Sequence, residues 1–216
     1  MKLHIVSDWD GVLLDSTLKG MERMEAIARL RLGIPLNGTH RKLIKDLWGK
    51  VGVKVFEGAF GVSTESAEEM YAELVEWDKR EPFKLVEGTH AALHYFLRIG
   101  QPMMVLTSRF RQNIQECLTA YDLHSYFQFA FGCDDCGGEK SFKPVFEKFG
   151  TSPRDTVYVG DNFSDVICGR NAGVRTIAVC SGFRSKQEFL DFGVDEKDII
   201  PSIAFFPEWY ELNIKS

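Results

Sequence analysis

The chain has 216 residues, enough for one sizeable core, or for a core with a smaller insert, but too few for two typical domains. Its 44% apolar and 12% aromatic residues indicate an ordered globular protein. The net charge of −5 without basic runs argues against nucleic acid as a partner, and no apolar signal segment or membrane-length stretch occurs, so we expect a soluble cytoplasmic protein.

Short apolar runs recur along the chain, each followed by glycine or polar residues, as is typical of buried strands in a parallel sheet. We predict strands at Leu3–Val6, Pro102–Leu106, Phe127–Phe131, Thr156–Val159 and Thr176–Val179. Helix-period segments lie between them, at Thr89–Ile99, Gln112–Tyr121, Lys143–Phe149 and Ser164–Asn171. This alternation predicts an α/β fold with a Rossmann-like parallel sheet that helices cover on both faces.

Residues 16–87 depart from the alternation, because they show helix-period patterns only, such as Met21, Met24 and Ile27. Ser66 followed by Glu69 has the spacing of a capping box that would begin the last of these helices. We therefore predict a helical cap insert at residues 16–87, placed after the first strand and suited to act as a lid. Residues 1–15 and 88–216 would form the core.

Polar residues with oxygen side chains follow three of the predicted strands. They are Asp8 and Asp10, then Thr107 and Ser108, then Asp161 with Asp165. Because ligands of open α/β sheets bind at the carboxyl ends of the strands, we expect these side chains to share one crevice. Clustered carboxylates require a cation, and hard oxygen ligands suit Mg²⁺.

A lysine is expected beside such a cluster to balance the charge of a bound phosphate. Lys140, in the stretch GGEKSF, lies just before the helix that leads to the fourth strand. Lys143 is the alternative, and the sequence leaves the choice between the two open. Gly137 and Gly138 would allow a close approach of the backbone.

The ordered set of motifs resembles the haloacid dehalogenase-like hydrolase superfamily, in its helical-cap type. Asp8–Ser16 matches the pattern DxDGxxxDS, Thr107 ends the second strand, Lys140 precedes a helix, and Gly160–Asp165 matches GDxxxD. The match covers residues 1–16 and about 83–185, whereas the insert matches only in position, length and helicity.

The resemblance implies a role for each matched residue. Asp8 would be the nucleophile that forms an aspartyl-phosphate, and Asp10 the general acid and base, with its backbone carbonyl on the metal. Asp161 and Asp165 would complete the Mg²⁺ site with Asp8. Thr107 and the Ser108 amide would bind phosphoryl oxygens, and Lys140 would neutralise developing charge.

The expected function is a magnesium-dependent phosphatase that hydrolyses a small phosphate monoester of a metabolite, as a monomer or homodimer. A phosphomutase with the same intermediate and a non-catalytic phospho-ligand binding module are the alternatives, and the substrate stays open. At the end of the first motif, Asp15 and Ser16 are expected to cap the first helix of the cap insert, with a substrate or hinge role as the alternative. Arg109 and Arg111 are expected to be solvated surface residues rather than substrate contacts.

The five cysteines lack the regular spacing of a disulfide scaffold, so we expect reduced thiols. One pair, Cys133 and Cys136, has CxxC spacing. Structural zinc needs four ligands, and only His124 stands nearby as a further candidate, so we expect an ordinary loop, although the role of the pair stays open.

Overall fold

The computed structural model describes residues 2–35 and 37–215. Met1, Leu36 and Ser216, which the predicted domains include, lie outside the described residues. The strands are β1 His4–Ser7, β2 Leu14–Asp15, β3 Lys84–Leu85, β4 Met103–Leu106, β5 Phe129–Phe131, β6 Thr156–Gly160, β7 Arg175–Val179 and β8 Ile199–Ile200. The helices are α1 Thr17–Leu32, α2 Gly38–Leu47, α3 Gly52–Phe60, α4 Thr64–Arg80, α5 Thr89–Arg98, α6 Arg111–Ala120, α7 Lys143–Phe149, α8 Phe163–Ala172, α9 Lys186–Asp191 and α10 Phe206–Tyr210. Across these ranges, no helix combines the length and apolar character that crossing a membrane requires.

A parallel sheet in the order β5-β4-β1-β6-β7-β8 forms the centre of the core. Ile5 pairs with Met103 on one side and with Val157 on the other, which places β1 in the interior of the sheet. Its neighbour Val6 is also buried but belongs to a different apolar cluster, on the opposite face. Both faces are therefore covered, which explains the unbroken apolar runs and confirms the predicted α/β fold.

The predicted core elements form with ends shifted by one or two residues. The largest shift is at β5, which begins at Phe129 rather than at Phe127. Three short elements near the carboxyl end, α9, β8 and α10, are not among the predicted ones. A strand of two residues and helices of five and six residues are too short to show a clear hydrophobic period in the sequence.

The cap insert, residues 16–87, packs around an apolar cluster of its own. Met24, Ile27, Ile44, Phe56 and Met70 lie at its centre. Because this cluster is separate from those of the sheet, we propose that residues 16–87 fold as a distinct unit on the core.

The expectation that the insert contains helices only is wrong at one point. Lys84–Leu85 forms strand β3, which pairs antiparallel with β2, so that Leu14 lies opposite Leu85 and Asp15 opposite Lys84. The two connections between core and insert therefore run side by side.

The predicted capping box of Ser66 and Glu69 is also wrong. Helix α4 begins at Thr64, and the Ser63 hydroxyl accepts a hydrogen bond from the Ser66 amide at 3.3 Å. The residue chosen as the cap is thus the third residue of the helix, one turn late, because Ser63 offers the same side-chain chemistry three residues earlier.

Polar contacts hold helix α2 of the cap insert against the core. Lys45 Nζ lies 2.9 Å from Glu188 Oε1, and Arg184 donates to the Lys45 carbonyl at 3.2 Å. Trp48 packs edge-on against Phe183 with ring centroids 5.1 Å apart. These contacts close the insert over the carboxyl edge of the sheet.

Gly49 brings the backbone of the insert into close contact with the core. Its carbonyl accepts a hydrogen bond from the Ser108 hydroxyl, and its φ is +93°. A Cβ at this position would overlap Ser164 Oγ. Only glycine satisfies both the backbone angle and the contact.

Arg23 is a buried cation inside the cap insert. It donates to Asp78 Oδ1 at 2.7 Å and to the Glu81 carbonyl at 2.5 Å. Its guanidinium lies 4.2 Å from the centroid of the Phe83 ring. Arg23 therefore joins helix α1 to the end of α4 and to the chain that returns to the core.

We expect Arg23→Ala to lower the free energy of unfolding by about 3 kcal/mol, because Asp78 loses its closest cation in a buried setting. Urea denaturation measures this change. Arg29→Ala removes an exposed arginine of the same helix and should change the free energy by less than about 0.5 kcal/mol. Equal effects of the two substitutions would contradict the assigned role.

We expect Gly49→Ala to loosen the contact between insert and core, because the new methyl group meets Ser164. Hydrogen exchange of the amides in residues 47–51 should become about tenfold faster or more. Gly61→Ala is the matched control, since Gly61 also has a positive φ, +67°, but no neighbouring atom within 4 Å of an added Cβ. Unchanged exchange in Gly49→Ala would show that the contact does not hold the insert.

Candidate active site

Three carboxylates meet at the carboxyl edge of the sheet. Asp8 follows β1, Asp161 follows β6, and Asp165 lies in the first turn of α8. All three are buried, and one oxygen from each lies within 4.8 Å of the others. The structure thus brings together the acidic residues that the sequence places after separate strands.

Local hydrogen bonds orient these carboxylates. The Trp9 amide donates to Asp8 Oδ1 at 2.8 Å. Asp165 Oδ2 accepts from the Asn162 amide at 3.0 Å, as part of the capping box of α8, while the Tyr158 hydroxyl donates to its Oδ1 at 2.8 Å. Asp165 therefore both caps a helix and belongs to the acidic cluster.

Asp161 is held without a counter-charge of its own. Its Oδ2 is buried, and among the described residues no donor reaches it. Gly11 and Gly182 surround this atom so closely that a Cβ on either would overlap it. Burial, followed by the charges of Asp165 and Asp8, raises the pKa of Asp161 well above its ordinary value. An unpartnered oxygen among hard oxygen donors fits a bound divalent cation.

Lys140 is the cation of the cluster. Its Nζ lies 3.0 Å from Asp8 Oδ2 and also bonds to Asp165 Oδ1, and its side chain is 4% exposed. Lys143 is 79% exposed and lies near Glu147 on the surface. The structure therefore brings Lys140, and not Lys143, into the site.

The charges of the cluster set the ionisation of Asp8 and Lys140. Burial raises the pKa of Asp8 to about 7, against the lowering effect of Lys140 and with further raising by Asp165 and Asp10. Burial alone would lower the pKa of Lys140, but the charges of Asp165 and Asp8 raise it well above its usual value. Lys140 thus stays protonated beside a carboxyl that is easily neutralised.

Thr107 and Ser108 lie where the sequence predicts, after β4 and on the same cavity as Asp8 and Asp10. Thr107 is buried, and its hydroxyl accepts from the Arg109 amide at 3.2 Å. The Ser108 hydroxyl is used in the contact with Gly49. Their roles in binding a phosphoryl group stay predictions.

Asp10 lines the same cavity but its carboxylate has different partners. Arg109 donates Nε to Oδ2 and Nη2 to Oδ1, both at 2.8 Å, and the Ser16 hydroxyl donates to Oδ1 at 2.7 Å. Burial would raise the pKa of Asp10, but the charge and hydrogen bonds of Arg109, with the bond from Ser16, outweigh it and lower the pKa.

Two expectations about these partners are wrong. Ser16 occupies the N-cap position of α1, but its side chain makes no capping bond there and binds Asp10 instead. Arg109 is 13% exposed and ion-paired rather than solvated. A signal for Arg109 was present, since it follows the second strand at the same edge as the acids, but its partner lies far away in sequence.

The cavity lies between core and cap insert and is open to solvent, with about 80 Å³ accessible to the centre of a water molecule. Asp8, Asp10 and Thr107 form its floor, and Trp48 and Tyr71 belong to its walls. Neither aromatic residue is predicted as a site residue. Tyr71 has the spacing of a core-facing residue of α4, and Trp48 follows α2 without a motif around it. Burial raises the pKa of Tyr71 to about 12, so its hydroxyl remains a hydrogen-bond donor.

Cys133 and Cys136 lie outside the acidic cluster and are free thiols. Burial raises the pKa of Cys133 to about 11 and raises that of Cys136 as well. Neither cysteine is a reactive thiolate at neutral pH.

Comparison with known proteins connects this site to a family. A family model described as haloacid dehalogenase-like hydrolase matches residues 5–179. Pyrophosphatase PpaX of Bacillus velezensis is 24% identical over 190 residues, which are 85% of this chain and 85% of that protein. Phosphoglycolate phosphatase 1 of Pseudomonas aeruginosa is 25% identical over 193 residues, 83% of this chain and 70% of that protein.

Solved structures share the fold. A predicted phosphatase from Clostridium acetobutylicum has a TM-score of 0.81 at 20% identity, covering 96% of this chain and 97% of that chain. A hydrolase from Pseudomonas syringae has a TM-score of 0.80 at 17% identity, with 97% and 98% covered. Because the family model spans most of the chain, the protein belongs to the haloacid dehalogenase-like hydrolases, as its ordered motifs predict.

Proposed function

We propose that the protein is a magnesium-dependent phosphatase that hydrolyses a small phosphate monoester through an aspartyl-phosphate on Asp8. The observation that carries this proposal is the buried cluster of Asp8, Asp161 and Asp165 with Lys140, which adjoins a cavity that also contains Asp10. The names of the relatives, a pyrophosphatase and a phosphoglycolate phosphatase, support a phosphorylated substrate.

The donor set fits Mg²⁺. Carboxylate oxygens of Asp8, Asp161 and Asp165 would hold it, together with the backbone carbonyl of Asp10. When bound, the ion would shield the repulsion between the Asp8 carboxylate and the phosphoryl oxygens. The unpartnered Oδ2 of Asp161 is the feature that favours an ion over a purely structural cluster.

In the first step, an oxygen of Asp8 attacks phosphorus and the bond from phosphorus to the leaving oxygen breaks. Asp10 gives its proton to that oxygen, so that the product leaves as an alcohol. Lys140 and Thr107 stabilise the charge on the phosphoryl oxygens. Closure of the cap insert over the cavity keeps bulk water away from the reacting group.

In the second step, Asp10 takes a proton from a water molecule that attacks the phosphorus of the aspartyl-phosphate. The Asp8 carboxylate is restored and inorganic phosphate is released. A phosphomutase would use the same intermediate but pass the phosphoryl group to a second hydroxyl. A non-catalytic binding module is disfavoured, because every position that the reaction needs carries a competent side chain.

We expect Asp8→Asn to reduce hydrolysis of a chromogenic aryl phosphate by about 10⁴-fold or more, since the nucleophile is lost. Asp10→Asn should cost about 10²-fold to 10⁴-fold, the usual contribution of a general acid and base. Initial rates of phenolate release with Mg²⁺ and with EDTA measure both effects.

Asp195→Asn, an exposed aspartate, serves as the control and should keep the wild-type rate. Release of phenolate that EDTA does not affect would exclude the metal-dependent mechanism. Phosphate binding by the wild type without any turnover would favour the binding module, and phosphoryl transfer to an added alcohol without phosphate release would favour the mutase.

We expect Mg²⁺ to raise the melting temperature of the wild type, by a stabilisation of about 2.7 kcal/mol when its concentration is 100 times Kd. Asp161→Asn should lose most of this increase, because the oxygen without a partner becomes a neutral amide. In EDTA the variant should melt no lower than the wild type, since Asp161 Oδ2 has no hydrogen-bond partner to lose. If Mg²⁺ raised the melting temperature of Asp161→Asn as much as that of the wild type, Asp161 would be excluded as a ligand. Asp195→Asn is again the control and should keep the wild-type increase.

A further inference from the structure

Arg109 is a largely buried cation that contacts both the core and the cap insert. Both contacts of its guanidinium with Asp10 measure 2.8 Å. Its Nη2 also lies 3.6 Å from Asp78 Oδ2, on helix α4 of the insert. All three side chains line the cavity beside the acidic cluster.

The contact with Arg109 occupies both oxygens of Asp10. Ser16 donates to one of the same oxygens at 2.7 Å. The proposed reaction requires Asp10 to give a proton to the leaving oxygen and to take one from water, so at least one of its oxygens must face the substrate. A proton on either oxygen would compete with the Arg109 contact at that oxygen, so Arg109 has to give up at least one of its two contacts when Asp10 carries a proton.

A released guanidinium needs another partner, because an unpaired charge in a buried setting is costly. Asp78 supplies a single oxygen at 3.6 Å, since its Oδ1 accepts from Arg23 at 2.7 Å. It cannot replace a carboxylate that binds Arg109 through two oxygens. Among the described residues no other carboxylate pairs with Arg109, so a ligand in the cavity is the candidate partner.

Tyr71 and Lys50 also line the cavity, Lys50 as an exposed residue that borders a neighbouring surface pocket as well. Within residues 2–35 and 37–215, neither the Tyr71 hydroxyl nor Lys50 Nζ makes a hydrogen bond or an ion pair. With Arg109 they are three residues of the cavity lining that carry hydrogen-bond donors. Donors in this number suit a ligand rich in negatively charged oxygens.

We propose that Arg109 binds a second anionic group of the substrate, on the side of the leaving group, and that this group replaces Asp10 on the guanidinium. The inference rests on the proposed phosphatase function and specifies its substrate class: phosphate esters that carry a further carboxylate or phosphate. Substrate binding then both anchors the leaving group and frees the general acid.

The test compares matched esters with and without the second anion. Phosphoglycolate is paired with ethyl phosphate, and propane-1,3-diyl bisphosphate with propyl phosphate. The first pair tests a carboxylate as the second anionic group, and the second pair tests a phosphate. The measured quantity is the ratio of kcat/KM within each pair. Any general loss of activity from a displaced Asp10 cancels in this ratio.

We expect the wild type to prefer the anionic ester by about tenfold or more in at least one pair, as a charge-assisted contact implies. Arg109→Met should bring this ratio close to one, with the loss mainly in KM, and Arg109→Lys should restore part of it. Arg111→Met is the matched control, since Arg111 is 45% exposed and pairs with Asp135 outside the cavity. It should keep the wild-type ratio.

Equal ratios in wild type and Arg109→Met, in both pairs, would overturn the proposal. If the wild type releases phosphate from none of the four esters, the proposed function fails. Isothermal titration calorimetry then tests separately whether Arg109 binds the second anionic group. The same esters are titrated with Mg²⁺ into Asp8→Asn and into the double variant Asp8→Asn with Arg109→Met. A preference in binding that depends on Arg109 supports the anchor, and its absence refutes it.

Discussion

Three carboxylates and one ammonium group share a volume from which water is largely excluded, at the carboxyl edge of the sheet. One cation cannot balance three negative charges, so the cluster carries a deficit of positive charge when its acids are ionised. Burial, and after it the charges of the neighbouring carboxylates, raise the pKa values of Asp8 and Asp161. Gly11 and Gly182 leave no room beside Asp161 for a positively charged side chain, so a bound cation is the group that fits there.

The core part of this arrangement could be predicted from sequence, because parallel strands deliver their final residues to one edge. The prediction of Asp8, Thr107 and Asp161 as site residues required only an apolar strand pattern with a polar residue after it. The choice between Lys140 and Lys143 required coordinates. Both lie near the start of a helix, and only the path of the loop decides which ammonium group reaches the acids.

The partnership of Arg109 with Asp10 could not be predicted for a different reason. The two residues follow different strands, and the direction of the Arg109 side chain depends on the loop after β4. That loop is held by a hydrogen bond from the Cys133 amide to the Arg109 carbonyl at 2.9 Å. The CxxC stretch, which a motif search would assign to metal or redox chemistry, thus contributes its backbone to the position of a site residue.

The paired strands β2 and β3 determine where the insert joins the core. Leu14 and Leu85 lie opposite each other, so the chain leaves the core and returns to it at almost the same point. Any excursion whose two ends meet at this seam leaves the strand order of the sheet undisturbed. The insert can therefore change in length or in fold without a change in the order of the core strands, as long as its two ends still pair with each other.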